Sequence, residues 1–245
     1  MHIDAGFTTG TGSLRERFSF VSGQPTREGL SPLEPVLCEV QDRASGFECV
    51  LKLWRKTGTA LDDDLRQLWR HEMRQVERVM ASEGAREVIV DILEFVDDEE
   101  HFGVVLDRVG LPLDTLLTRI TRQHWLRNLD SVRSRTLLWR NARRLAAALG
   151  LVHSQGLVHG RFGANAVVTE GADAADFRLT GFEWSLWLSA DTAEGSHAQL
   201  TAQNTVARPA CSFSEDWSAL GRLIAECLGV QVSVASLNDG ACRNQ

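Results

Sequence analysis

The sequence predicts an α+β fold of two lobes, in which a β-rich half with one long helix precedes a helical half. Up to about residue 107, short apolar runs bounded by turn residues are typical of strands, and a single segment with a 3.6-residue period lies among them. After Gly110 the longest apolar patterns have the helical period. With 245 residues, 43% of them hydrophobic and 24% charged, the chain can bury a sizeable core as one large domain or two packed lobes.

Five strands are predicted in the first half. Each run carries β-branched or aromatic residues, and the connections contain Gly, Pro, Ser or acidic residues. The predicted strands cover residues 17–22, 35–41, 47–54, 88–95 and 102–107. We expect them to form a five-stranded antiparallel sheet.

One amphipathic helix is predicted between the third and fourth strands. It opens with three aspartates at 62–64, whose charge suits a helix N-terminus. Its apolar positions recur at helical spacing, at Leu65, Leu68, Trp69, Val76, Val79 and Met80. Glu72 falls on that face, whereas Glu77 does not. Because an unpaired buried charge is costly, Glu72 predicts a buried partner.

Three helices and two short strands are predicted in the second half. The first two helices cover 111–122 and 137–153, the strands cover 166–169 and 177–180, and the polar stretch 189–208 predicts a mobile loop. The last helix opens with Ser212 and Glu215, the spacing of a capping box, and ends at Gly229.

Five short motifs follow one another along these elements. They are ECVLKL at 48–53, FGVVLD at 102–107, LVHSQGLVH at 151–159, LTGFE at 179–183 and DWSALG at 216–221. In this order and spacing, and over roughly residues 15–230, the chain resembles a bacterial-type protein kinase. The nine-residue motif ending at His159 is the most specific of the matches. The resemblance implies a kinase-like fold with a β-rich N-lobe, a helical C-lobe and the nucleotide cleft between them.

The resemblance also implies roles for individual residues. Lys52 matches the lysine that contacts phosphate and pairs with a glutamate on the next helix, a position held here by Glu72. Lys52, Glu72 and Asn165 are the nucleotide-binding candidates, whereas His159, Phe182 and Asp216 match structural positions.

We expect Lys52 and Glu72 within salt-bridge distance, or separated by an outward-swung helix. The alternative is an exposed strand lysine and a helix-surface glutamate. Asp216 is expected to accept hydrogen bonds from N–H groups near His159 and Gly160.

The residues that carry phosphoryl transfer in the family are missing. Arg161 holds the position of the catalytic aspartate and cannot accept a proton, and Gly181 holds that of the principal metal-binding aspartate. No metal site is therefore predicted. Asn165 lies one residue too close to His159. Either the loop has a deletion or Ala166 occupies the family's asparagine position, and strand register favours the deletion.

Other parts of the cleft also depart from the family. The segment 23–32 lacks the spaced glycines that let backbone approach phosphates, and its two prolines remove N–H donors. Glu183 stands where the motif has glycine. We expect it to lie at the surface or to face a helix, although it could carry a carboxylate toward the site. Trp184 and Trp187 predict either an apolar plug over the cleft or ordinary core packing.

These departures favour a catalytically inactive, regulatory or scaffolding domain, a pseudokinase that acts through protein–protein interaction. No cofactor is expected to be required, and weak ATP binding without Mg²⁺ is compatible with this interpretation. The resemblance implies a setting in bacterial signalling or phage defence. The alternatives are an active, atypical phosphotransferase that uses Glu183 or Asp176, and an Arg-rich adaptor with no nucleotide role.

The predicted organisation has four parts, a flexible lead-in at 1–14, an N-lobe at 15–109, a C-lobe at 110–230 and a tail at 231–245. The family's C-lobe normally has further helices after the one at Asp216. We therefore expect a truncated C-lobe, completed by a protein partner, an effector or missing chain.

Charge and cysteine content limit the classes of partner and compartment. The net charge of −7 argues against a general nucleic-acid binder. Residues 119–144 nevertheless contain eight arginines and one acidic residue, which predicts either an anionic contact or solvated helix faces. The five scattered cysteines favour small buried side chains in a reducing cytoplasm. No apolar run approaches the ~20 residues that a membrane span needs, so we expect a cytoplasmic protein without membrane contact.

Overall fold

The computed structural model of the chain describes residues 9–10, 14–21, 31–107, 110–187 and 212–230. The predicted loop at 189–208, the tail at 231–245 and most of the segment 23–32 lie outside the described residues. Within these ranges the fold is mixed α+β, as predicted, with an antiparallel sheet in the first half and most of the helical residues in the second. No helix in the described part of the chain is long and apolar enough to cross a membrane.

A six-stranded sheet dominates the first half. Its strands are β1 (Thr9–Gly10), β2 (Phe18–Phe20), β3 (Val36–Asp42), β4 (Glu48–Arg55), β5 (Ile92–Asp97) and β6 (His101–Asp107), in the order β1-β5-β6-β4-β3-β2. All neighbouring pairs are antiparallel except β1 and β5. The expectation of five strands is thus met by β2 to β6, and the two-residue β1 is an addition. In this order β4 is a central strand, flanked by β3 and β6. A short helix, α1 (Leu14–Arg17), directly precedes β2.

The predicted strand at 88–95 is wrong in its first half. Residues Ala85–Val88 form a short helix, α3, after Gly84, whose φ of +77° is in the left-handed region. Ile89 and Val90 then pair with Leu179 in the second half of the chain, and only from Ile92 does the backbone join the large sheet. The apolar run at 88–95 therefore pairs partly with Leu179 and partly with the large sheet. Hydrophobic periodicity does not show which strand a segment will pair with.

The helix α2 (Leu61–Met80) packs across the sheet with the predicted face inward. Leu65, Trp69, Val76 and Val79 are buried, and Glu72 is buried among them with 1% of its surface exposed. Glu77 is exposed. The Trp69 indole N–H donates to the Gly103 carbonyl at 2.8 Å, which fixes α2 on β6.

The second half contains three further helices and five short strands. They are β7 (Leu111–Pro112), α4 (Leu113–Arg119), α5 (Val132–Ser154), β8 (Leu157–Val158), β9 (Val167–Thr169), β10 (Arg178–Leu179), β11 (Leu186–Trp187) and α6 (Phe213–Cys227). The predicted helix at 111–122 is therefore shorter and preceded by a strand. The helix predicted at 137–153 begins earlier, because the Ser131 side chain caps it by accepting from the Ser134 N–H.

Two small sheets and a shared core connect these elements. One sheet has the order β10-β9-β7, and the other pairs β11 with β8. The larger hydrophobic core runs without interruption from the first half to the second, and includes Val50, Phe95, Leu138, Phe177 and Ile224. A smaller cluster, with Phe18, Cys38 and Leu51, covers the other face of the sheet. Cys38 and Cys49 are buried there as free thiols, as predicted, whereas Cys227 is half-buried.

Candidate functional site

A cleft lies between the large sheet and the second half of the chain. Its interior volume is about 70 Å³, several times the volume that one ordered water needs. The sheet side contributes Glu34, Pro35, Leu37, Glu39, Val50, Lys52 and Leu106, and the opposite side includes Arg161, Asn165, Ala166, Val168, Gly181, Glu183 and Trp184. The cleft therefore has apolar walls with charged groups at defined positions, the usual composition of a ligand site.

Lys52 lies at the inner end of the cleft, between two carboxylates. Its ammonium is 2.7 Å and 2.9 Å from the two Glu72 oxygens and 2.6 Å from Glu183 Oε2. Lys52 is 3% exposed. The ion pair predicted from the sequence, Lys52 with Glu72, is thus present, and a second carboxylate joins it. Since an ammonium has three N–H donors, all three are used within this cluster.

Three separate elements bring the Lys52 cluster together. β4 directs Lys52 inward from a central strand, paired with Leu37 on one side and Val104 on the other. The buried face of α2 supplies Glu72. Glu183 comes from a 3-10 turn at Phe182–Trp184, which follows the left-handed Gly181 at φ +86°. The Phe182 N–H also donates to Glu72, so this turn is attached to α2.

The prediction that Glu183 lies at the surface or simply faces a helix is wrong, because the structure buries it within the site. It is 8% exposed, and its Oε2 lies 3.8 Å from where a Cβ on Gly181 would be. The carboxylate therefore occupies space that a side chain at position 181 would enter, although it comes from two residues further along the chain.

Burial and the shared lysine shift the protonation of both glutamates. Burial raises the pKa of Glu72 to about 7, despite the attraction of Lys52, and the negative charge of Glu183 acts in the same direction. For Glu183, burial opposes ionisation, but the attraction of Lys52 and its hydrogen bond outweigh burial and lower the pKa. Burial also acts against the charge of Lys52, and the two carboxylates together raise its pKa.

Arg161 occupies the mouth of the cleft. Its guanidinium lies 4.1 Å from the centre of the Trp184 ring and 3.3 Å from Glu34 Oε1 on the sheet side. Of the two predicted tryptophans, Trp184 lines the cleft, and the side chain of Trp187 lies outside the described part of the structure. Arg161 is thus a partly exposed cation at the mouth that can donate hydrogen bonds but cannot accept a proton.

The floor of the cleft presents Ala166 rather than Asn165 to Gly181. A Cβ on Gly181 would lie 3.6 Å from the Ala166 Cβ, and Asn165 is an exposed residue on the rim. Of the two residues considered for this position in the sequence, Ala166 is therefore the one that lies beside Gly181. Among the described residues, no group of three or more His, Cys, Asp or Glu side chains could hold a metal ion.

Asp216 supports the backbone that leads into the cleft, as predicted. Its carboxylate accepts from the His159 N–H at 2.7 Å and from the Gly160 N–H at 3.1 Å, and it lies 2.9 Å from His153 Nε2. His159 is fully buried and donates through Nε2 to the Thr180 carbonyl at 2.8 Å. Burial lowers the pKa of His159, which keeps the ring neutral. Phe182 is buried with its ring 5.3 Å from that of His159.

Half of the arginines between 119 and 144 have structural contacts. Four of them bind backbone carbonyls or one acidic side chain, namely Arg127 with Leu117, Arg133 with Asp173, Arg135 with Leu129 and Asp130, and Arg144 with Phe177 and Glu87. Arg119, Arg122, Arg140 and Arg143 are exposed. An anionic contact therefore remains a prediction for these four alone.

Sequence reasoning singled out Lys52, Glu72, Arg161 and Asp216, gave Glu183 a place in the site only as an alternative, and missed Glu34. The signal for Glu183 in the sequence was its place directly after Gly181-Phe182, at the end of the LTGFE motif. Glu34 lies outside every motif, and its place at the mouth follows from the fold alone.

No family model matches the chain, and no curated protein matches it.

Proposed function

We propose that the chain is a catalytically inactive protein-kinase-like domain, a pseudokinase that acts through contacts with a protein partner. The order of the elements supports a kinase-like division into a β-rich N-lobe and a helical C-lobe. The Lys52–Glu72 pair and the Asp216 contacts match the geometry expected from the resemblance. On this proposal nucleotide binding is weak at most, and no cofactor is required.

The single observation that carries the proposal is which residues hold the three positions that phosphate transfer requires, and what those residues contact. Phosphoryl transfer needs a carboxylate beside the attacking hydroxyl, metal ligands on the phosphates and a cation that grips them. Arg161 stands at the first position and Gly181 at the second, and at the third all three donors of Lys52 are used by internal carboxylates. Charge building on a transferring phosphoryl group would have no partner.

One alternative is an active, atypical phosphotransferase, and the buried Glu183 is the observation in its favour. A carboxylate near Gly181 could hold Mg²⁺, which needs as few as one or two carboxylates when substrate phosphates complete its shell. Asp176 no longer supports this alternative. Its oxygens accept from the Thr169 hydroxyl and the Glu170 N–H, both at 2.7 Å, so it closes a turn instead.

A protein partner is the proposed route of action. It would be an effector protein, in a bacterial signalling or phage-defence setting. The exposed arginines at 119, 122, 140 and 143 are the proposed contact for an anionic surface on such a partner.

Purified protein incubated with radiolabelled ATP and Mg²⁺ or Mn²⁺ tests the proposal. We expect no label on the protein or on generic substrates above the level given by Lys52→Ala, with an active protein kinase as the positive control. Loss of a positioned base or metal ligand typically removes about 3 kcal/mol or more of transition-state stabilisation. Label incorporation that Lys52→Ala abolishes would instead establish an enzyme, with Glu183 as the next residue to change.

A further inference from the structure

The two carboxylates on Lys52 face different surroundings. Glu72 lies behind the lysine on α2 with 1% of its surface exposed, and it does not line the cleft. Glu183 lines the cleft together with Lys52. A ligand that enters the cleft therefore reaches Lys52 and Glu183 without contacting Glu72.

A phosphate group would need the same donor. Phosphate oxygens accept hydrogen bonds from ammonium groups much as carboxylate oxygens do. Glu183 Oε2 lies 2.6 Å from Lys52 Nζ, and the other two donors of Lys52 are directed at Glu72. No donor of Lys52 is left for a ligand while Glu183 stays in place.

We propose that Glu183 is an internal competitor for phosphate, so that the cleft accepts a phosphate-bearing ligand only in exchange for the Glu183 carboxylate. This inference rests on the proposed function in one respect, that the cleft is the remnant of a nucleotide site. It deepens that proposal by naming the residue that excludes nucleotides and the class of ligand affected. No bond is made or broken in the exchange.

The charges around the cleft also disfavour the binding of phosphate. Three glutamates line it, at 34, 39 and 183, against two cations, Lys52 and Arg161. A diphosphate therefore meets net repulsion in addition to the occupied lysine. A nucleoside without phosphate avoids both obstacles and can still contact the apolar wall formed by Leu37, Val50 and Leu106.

The test is calorimetric titration with ADP in buffer containing EDTA. Glu183→Gln keeps the shape of the side chain but removes its charge, and we expect this variant to bind ADP about tenfold or more tightly than wild type, as a regained charge-assisted contact would allow. Glu39→Gln is the matched control, because it removes the same charge from the cleft lining and has no described contact with Lys52. The double variant Lys52→Ala with Glu183→Gln should lose the gain.

The outcomes separate the alternatives. Equal gains for Glu183→Gln and Glu39→Gln would overturn the proposal in favour of general charge repulsion, as would a folded Glu183→Gln variant that binds ADP no better than wild type. The failure of the proposed function is a different result, metal-dependent label transfer abolished by Lys52→Ala, and it is measured with another assay.

Wild-type protein supplies a second measurement that does not depend on the folding of a variant. In the same metal-free buffer we expect wild type to bind adenosine at least as tightly as ADP, since phosphates gain nothing from an occupied lysine. ADP bound about tenfold more tightly than adenosine would show that Glu183 does not compete, and would overturn the proposal.

Discussion

At the scale of single residues, Lys52 links the two carboxylates at the inner end of the cleft. It is one of two lysines in the chain, and it is buried between Glu72 at 2.7 Å and Glu183 at 2.6 Å. Helical spacing alone predicted that Glu72 is buried and paired. It could not predict Glu183, because the burial of that side chain depends on a left-handed glycine followed by a 3-10 turn, and neither has a hydrophobic period.

The shared lysine predicts a pH dependence of stability. Because burial raises the pKa of Glu72 from 4.5 to about 7, the folded chain holds a proton in this window that the unfolded chain has released. The free energy of unfolding therefore falls as pH rises from about 4.5 to 7. We expect wild type to lose on the order of 1 to 3 kcal/mol relative to Glu72→Gln across this range, measured by chemical denaturation at pH 5, 6, 7 and 8.

The control for this measurement is Glu77→Gln, which changes an exposed glutamate on the opposite face of α2. Its difference from wild type should stay constant with pH. A constant difference for Glu72→Gln as well would show that Glu72 stays ionised in the folded protein throughout.

At the scale of elements, hydrophobic period and helix caps predicted most of the fold. The Ser212 side chain caps α6 as predicted, with its hydroxyl accepting from the Glu215 N–H at 3.1 Å, and Gly229 has φ +70° just beyond the helix. The errors fall where one apolar run has two partners. Ile89 pairs with β10 while Ile92 pairs with β6, and tertiary contacts of this kind leave no local mark in the sequence.

Asp216 at the start of α6 predicts a large effect from a single substitution. Asp216→Ala would leave the N–H groups of His159 and Gly160 and the ring of His153 without their common acceptor. We expect a loss of about 2 to 5 kcal/mol in the free energy of unfolding, since unsatisfied buried donors cost about 1 to 3 kcal/mol each. Urea denaturation of both proteins measures it.

Asp173→Ala provides the comparison. Asp173 forms an exposed ion pair with Arg133 at 3.0 Å, with side chains 58% and 79% exposed. Pairs of this kind contribute up to about 1 kcal/mol. If Asp216→Ala cost no more than Asp173→Ala, the support of the loop at 159–160 by α6 would be refuted.

At the scale of the whole molecule, the order of a β-rich half before a helical half was predictable from the change of period near residue 110. The way in which the two halves pack against each other was not predictable from the sequence. It depends on contacts between the halves, such as the pairing of Ile89 with Leu179 and the ion pair of Lys52 with Glu183.

At the start of the second half, Gly110→Ala tests the packing of the chain against β9, because a Cβ there would collide with the Thr169 carbonyl oxygen. Its φ of +89° and the contact with Thr169 both oppose a side chain, so we expect a loss of more than about 2 kcal/mol in stability. Gly150→Ala is the matched control, because Gly150 is exposed in α5 with nothing within 4 Å. That change should stabilise the chain by about 0.5 to 1 kcal/mol. Thermal unfolding of the two variants would contradict the expectation if both shifts had the same sign.

Two ion pairs cross the cleft, and they differ in their response to ionic strength. Arg161 and Glu34 at the mouth have side chains 48% and 25% exposed, whereas Lys52 and Glu183 inside are 4% and 8% exposed. At physiological salt the Debye length is about 8 Å, and screening acts on solvated charges far more than on buried ones. Added salt would weaken the outer pair while leaving the inner pair nearly intact. The cleft should therefore loosen first at its mouth, where Arg161 pairs with Glu34, while the contact between Lys52 and Glu183 inside is kept.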